Sequence, residues 1–124
     1  MEFVAMNRKV KIDLKSGVYD FETSSARGKT LLVKMIKTLG DSRKIALTYN
    51  DILLGIDLNK MIERKPELII FDRFDMYDEK ADILVQLKDT GIIVLVDYKT
   101  QRKFCDFDDT CWVTLTENGL EVSL

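Results

Sequence analysis

Two short, wholly apolar runs constrain this chain more than any other feature: Leu68-Ile69-Ile70-Phe71, closed by Asp72, and Ile92-Ile93-Val94-Leu95-Val96. A strand without polar alternation is one buried on both faces, as in a parallel sheet flanked by helices. Neither run approaches the roughly 20 residues needed to cross a bilayer.

Before them, Val10, Ile12 and Leu14 alternate with Lys9, Lys11, Asp13 and Lys15, the period of a half-buried strand. Ser16-Gly17 marks a turn and Val18 to Glu22 can run back, so an antiparallel N-terminal pair is predicted. Leu31, Leu32, Met35, Ile36 and Leu39 recur at helical spacing up to a Gly40 cap, and Lys44 to Tyr49 reads as a strand. Asp57 or Asn59 can open a second helix that ends before Pro66. Asp78 can cap a third, carrying Ala81, Ile83, Leu84 and Leu87 and ended by Gly91. Cys111 to Leu115 and Leu120 to Leu124 flank Glu117-Asn118-Gly119 as a C-terminal hairpin. Strands that alternate with helices predict an α/β domain over residues 1–124.

Composition narrows the chemistry. Of the 124 residues 46% are hydrophobic, which suits one folded core rather than a disordered chain. There is no histidine, which removes Ser-His and Cys-His catalysis and histidine metal ligands. The net charge of -2 argues against a non-specific nucleic-acid binder; Arg8, Lys9, Lys11 and Lys15 read as a solvated strand face. Residues Met1 to Lys9 lack the apolar region of a signal peptide, and Cys105 and Cys111 read as reduced thiols, so a cytoplasmic protein is expected.

The segment Ser25-Ala26-Arg27-Gly28-Lys29-Thr30 lies between a strand and an amphipathic helix. Phosphate binding needs unobstructed backbone N–H groups, a helix N-terminus, a lysine and a hydroxyl for Mg²⁺, and this segment can supply all four. Asp72, at the carboxyl end of an apolar strand, can hold the same Mg²⁺ opposite Thr30. The acidic residues Asp72, Asp75, Asp78, Glu79, Asp106, Asp108 and Asp109 could bind Mg²⁺ through oxygen ligands, but solvated loops and helix capping explain them more simply; Arg102 and Lys103, after Lys99, could contact phosphate, but a solvated basic turn explains them more simply.

Ser16 to Tyr19 with Thr23 to Leu32 resembles the strand, Walker A loop and helix of P-loop NTPases, and Lys65 to Asp72 resembles Walker B and its approach. Tyr77-Asp78 falls where a D-loop follows, Gly91 to Asp97 resembles the strand that leads to the switch residue, and Trp112 to Leu120 resembles a closing hairpin. Together these make the chain similar to a miniature ABC-type ATPase domain. The resemblance implies a three-layer, mostly parallel α/β sheet with an antiparallel N-terminal pair and a C-terminal hairpin. It also implies binding of ATP or GTP with Mg²⁺.

The departures bear on catalysis. Thr23 stands at the first Walker A glycine and Arg73 at the catalytic glutamate; Asp97 or Tyr98 stands at the switch histidine. Asp20 and Glu22 place negative charge on the approach strand, and the interval from Thr30 to Asp72 leaves no room for a helical signature subdomain. The expectation is nucleotide binding with weak or no hydrolysis and no assigned catalytic residue. Two alternatives stand beside it. One is a non-catalytic module that keeps the fold and binds another protein or its own copy. The other is a receiver-like domain in which Asp72 accepts a phosphoryl group.

Overall fold

Among the described residues the elements follow in the order β1 (Glu2–Ala5), β2 (Arg8–Asp13), β3 (Gly17–Phe21), α1 (Ala26–Leu39), β4 (Lys44–Leu47), α2 (Leu58–Glu63), β5 (Leu68–Phe71), α3 (Asp82–Leu87), β6 (Ile93–Val96), β7 (Asp109–Thr116) and β8 (Gly119–Ser123). The computed structural model describes residues 1–22, 26–48, 50–51, 54–55, 57–73, 82–98 and 107–124. The strands form one eight-stranded sheet in the order β1-β2-β8-β7-β3-β6-β5-β4. The β1–β2 and β7–β8 pairs are antiparallel and the other pairings are parallel.

This corrects the expected architecture. The three-layer parallel α/β sandwich does not form; the chain builds a strand-rich mixed sheet that curls. Among the described residues only α1, with 14 residues, exceeds two turns; α2 and α3 have 6 residues each. The apolar cluster around α1 takes Ala5, Val10, Phe21, Ala46, Ile70, Leu95, Cys111 and Leu120, one from each of the eight strands, against Leu32, Met35 and Ile36 of the helix. The sheet therefore wraps α1 instead of lying flat beneath a helical layer. A second cluster, on the other face, covers β3 to β6 only: Val18, Leu47, Ile69, Phe71, Val94 and Val96 pack on Ile83, Leu84 and Leu87 of α3. Each such side chain, fully buried, is worth about 1.5–3 kcal/mol of apolar transfer.

The N-terminal pairing is also different from the expected one. Residues 10–14 and 18–22 do not pair with each other. β2 pairs with β1 across a turn at Met6 and Asn7, and β3 runs to the centre of the sheet between β7 and β6. Met6 and Asn7 both take left-handed backbone (φ 51 and 58), the geometry of a tight two-residue hairpin turn. The C-terminal hairpin turns at Glu117 and Asn118. Gly119 lies so close to the Lys9 backbone that any Cβ there would collide with the Lys9 carbonyl. That contact seats β8 beside β2.

Two helix signals sit where the sequence puts them. Asp57 caps α2, its Oδ1 accepting from the Lys60 N–H at 3.2 Å. Gly40 ends α1 with φ +65. Asp78, Ala81 and Tyr77 lie outside the described residues.

Candidate functional site

The parallel register decides which residues meet. Phe71 of β5 faces Val96 of β6, so Asp72 and Asp97, one residue further on, emerge side by side at the carboxyl end of the sheet. Their backbones are fixed there: the Asp72 N–H donates to the Leu47 carbonyl and the Asp97 N–H to the Phe71 carbonyl, each at 2.8 Å. Phe71 and Val96 point to the α3 face, so alternation turns Asp72 and Asp97 to the α1 face.

Lys29 of α1 meets them. Its Nζ donates to Asp97 Oδ1 at 2.7 Å, and both side chains are only 14% exposed. A pair this far from solvent is screened less than a surface ion pair. Burial pushes the Asp72 carboxyl above its ordinary value, and a hydrogen bond to Asp97 and repulsion by its charge push it further. Arg73 and Lys29 pull in the other direction without reversing the shift.

Asp20 belongs to the opposite face. It is the buried charged residue of β3, and its two carboxylate oxygens accept from Tyr98 Oη at 3.0 Å and Thr110 Oγ1 at 2.8 Å. Tyr98 in turn stacks on Phe107 with ring centroids 6.0 Å apart. Burial and the hydrogen bond to Asp20 push the Tyr98 hydroxyl to about 12, so it remains a donor at every physiological pH. The charge on the approach strand thus has its own hydrogen-bond donors, on the side away from Lys29.

The residues expected to form a phosphate loop divide. Ser25 and Thr23 lie outside the described residues, as do Asp75, Glu79, Lys99, Arg102, Lys103, Cys105 and Asp106. Ala26, Arg27, Gly28, Lys29 and Thr30 form the start of α1 itself rather than a loop ahead of it, and Thr30 is exposed. Gly28 has a packing reason to be glycine: a Cβ there would stand 2.6 Å from Cγ1 of Val113 on β7. A side chain at that point would have to displace Val113.

Two aspartates of the acidic set have structural roles or positions. Asp108 Oδ2 accepts the Val18 N–H at 2.7 Å, which ties the start of β7 to β3. Asp109 is exposed at the first residue of β7. Among the described residues no three His, Cys, Asp or Glu side chains gather into a group that would hold a metal alone.

Lys29 and Asp72 were readable from the chain. The partnership of Asp97 with Lys29, and of Tyr98 and Thr110 with Asp20, was not. One signal was present: both apolar runs end in aspartate, and parallel pairing of the two runs brings those aspartates together. Among the described residues no helix is long and apolar enough to cross a membrane. Comparison of the chain with protein-family models, curated proteins and solved structures gives no match.

Proposed function

We propose that this chain binds a nucleoside triphosphate, ATP or GTP, as its Mg²⁺ complex, and that it hydrolyses the nucleotide weakly or not at all. The observation that carries the reading is the convergence of Lys29, Asp97 and Asp72. A lysine in the first turns of a 14-residue helix stands over two carboxyl groups at the carboxyl ends of parallel strands. The carboxyl ends of the parallel strands β5 and β6 meet the first turns of α1 there, and a helix N-terminus favours phosphate.

In this reading Lys29 holds the terminal phosphates and the first amides of α1 face them. The donors fit Mg²⁺: the carboxylates of Asp72 and Asp97 and the hydroxyl of Thr30 are hard oxygen ligands, and phosphate oxygens and water complete the set. The repulsion that raises Asp72 supports the same view, because a bound dication relieves it. When bound, the ion would neutralise charge on the phosphates. The resemblance puts Arg73 at the place of the catalytic glutamate, and an arginine does not accept the proton of an attacking water. The protein would act in the cytoplasm, where nucleotide is plentiful and a buried thiol such as Cys111 stays reduced.

Calorimetric titration of ATP and GTP with Mg²⁺ into the wild type and Lys29→Ala tests the reading. Binding that disappears in Lys29→Ala is expected. No heat and no thermal stabilisation at millimolar nucleotide overturns it.

A second reading has its own observation. The Gly28–Val113 contact accounts for the glycine of the motif by packing alone, as in an interaction module without a nucleotide. That reading gains if nucleotide fails to bind and the protein self-associates in sedimentation.

A further inference from the structure

Resting on that nucleotide reading, we infer that Asp97 competes with phosphate for Lys29, so that the site accepts the Mg²⁺ complex of a polyphosphate and refuses the free anion. The ion pair is the observation. Lys29 Nζ already has a carboxylate oxygen at 2.7 Å, the distance and charge type that a phosphate oxygen would offer. Both side chains are largely withdrawn from water, so neither has solvent as an easy alternative.

The surrounding charges set the order of preference. Asp97 has Asp72 hydrogen-bonded beside it, and Asp20 lies within electrostatic reach of Tyr98, the next residue. Among the described residues Lys29 and Arg73 are the cations that act on Asp72. A free polyphosphate brings further negative charge to two carboxyl groups and must take Lys29 from Asp97, whose ion pair among the described residues is with Lys29. That exchange takes the counter-ion from a partly buried carboxylate, which is costly. With Mg²⁺ on the polyphosphate, Asp97 and Asp72 gain a dication as counter-charge and Lys29 is released. Asp97 therefore sets which ionic form of the ligand binds, and Lys29 supplies the affinity.

The test is binding of ATP in EDTA and in Mg²⁺ to wild type, Asp97→Asn and Asp97→Glu, each checked for a cooperative melt. Wild type and Asp97→Glu are expected to bind only with Mg²⁺. Asp97→Asn, which keeps the shape but not the charge, is expected to bind ATP in EDTA at least tenfold more tightly than wild type. Mg²⁺-ATP binding to wild type with no gain in EDTA for Asp97→Asn overturns the role of Asp97 and leaves the nucleotide reading intact. No binding by any variant under either condition overturns both. The Lys29 ammonium resonance of the unsubstituted protein gives the same answer without a variant. It should shift with Mg²⁺-ATP and stay in place with ATP in EDTA; an equal shift in both overturns the inference.

Discussion

The Lys44 ammonium lies 5.3 Å from the centre of the Phe3 ring, although Phe3 sits on β1 and Lys44 on β4, the two opposite edges of an eight-stranded sheet. The edges come together because the sheet curls around α1, and the Lys44 side chain spans the remaining gap. Lys44 is held in place by Asp41 at 3.1 Å and Glu67 at 3.4 Å. Replacing Phe3 by Leu should cost about 0.5–1 kcal/mol through the lost cation–ring attraction. Phe3→Ala should cost about 1–3 kcal/mol, because the apolar contact goes as well. Urea unfolding measures both. Hydrogen exchange should quicken at β1 and β4 together in Phe3→Ala; quickening at β1 alone would show that the edges are independent.

Gly28→Ala places a methyl group 2.6 Å from Val113 Cγ1 and 3.0 Å from its Cβ. Alanine gains up to about 1 kcal/mol of helix propensity over glycine. Overpacking against a stiff β-branched side chain costs about 1–3 kcal/mol and should win. Gly28→Ala is expected to melt earlier than wild type, and adding Val113→Ala should recover part of the loss. A double variant no better than the sum of the singles would refute the contact.

Asp72→Asn separates charge from shape. Burial and Asp97 raise the Asp72 carboxyl above 3.8, so the fold favours its protonated form. The stability from this group is therefore present below that pH and lost as pH rises through the raised value. Asparagine keeps a donor for Asp97 and carries no charge. Near neutral pH Asp72→Asn should be more stable than wild type, with the gap closing as pH falls below 3.8. A gap independent of pH would remove the electrostatic explanation. The same variant should bind Mg²⁺-nucleotide more weakly.

Tyr98→Phe leaves the buried Asp20 with one side-chain donor fewer, Thr110 remaining. Loss of a hydrogen bond to a buried charge should cost about 1–3 kcal/mol. Chemical denaturation of Tyr98→Phe, Thr110→Val and the double variant should show strong coupling between them. Additive losses would mean that the two hydroxyls do not share one carboxylate.

Cys111 is fully buried, and burial with the nearby Asp20 charge pushes its thiol to about 12. At pH 8 it should resist iodoacetamide in the native protein and label after unfolding, as read by mass spectrometry of its peptide. Labelling of native Cys111 at the rate of a free thiol would contradict this burial.

What the chain discloses in advance follows the range of the interactions. β5 and β6 are legible because burial on both faces leaves apolar runs, and α1 because its face repeats at helical spacing. The first hairpin was misplaced because its turn is Met6-Asn7, with no glycine to mark two left-handed residues. The pairing of β2 with β8 joins Val10 to Leu120, and no local signal announces a partner so distant. The curl was hidden for the same reason, since it arises from eight strands sharing one helix. At the site, Lys29 and Asp72 carried motif signals. The hold of Asp97 on Lys29 depends on the β5–β6 register, which only the folded sheet fixes.

The place of β8 sets a timetable for biosynthesis. β2 reaches the rest of the sheet only through β8, so the hairpin of β1 and β2 emerges from the ribosome long before its permanent neighbour exists. At about 5–20 residues per second, the interval from residue 10 to residue 120 is roughly 5–20 s. During that time one side of β2 is an open template for any passing strand. Lys9 and Lys11, exposed on that strand, are the charges that discourage such pairing. Their value to the protein is greatest before the native sheet has formed.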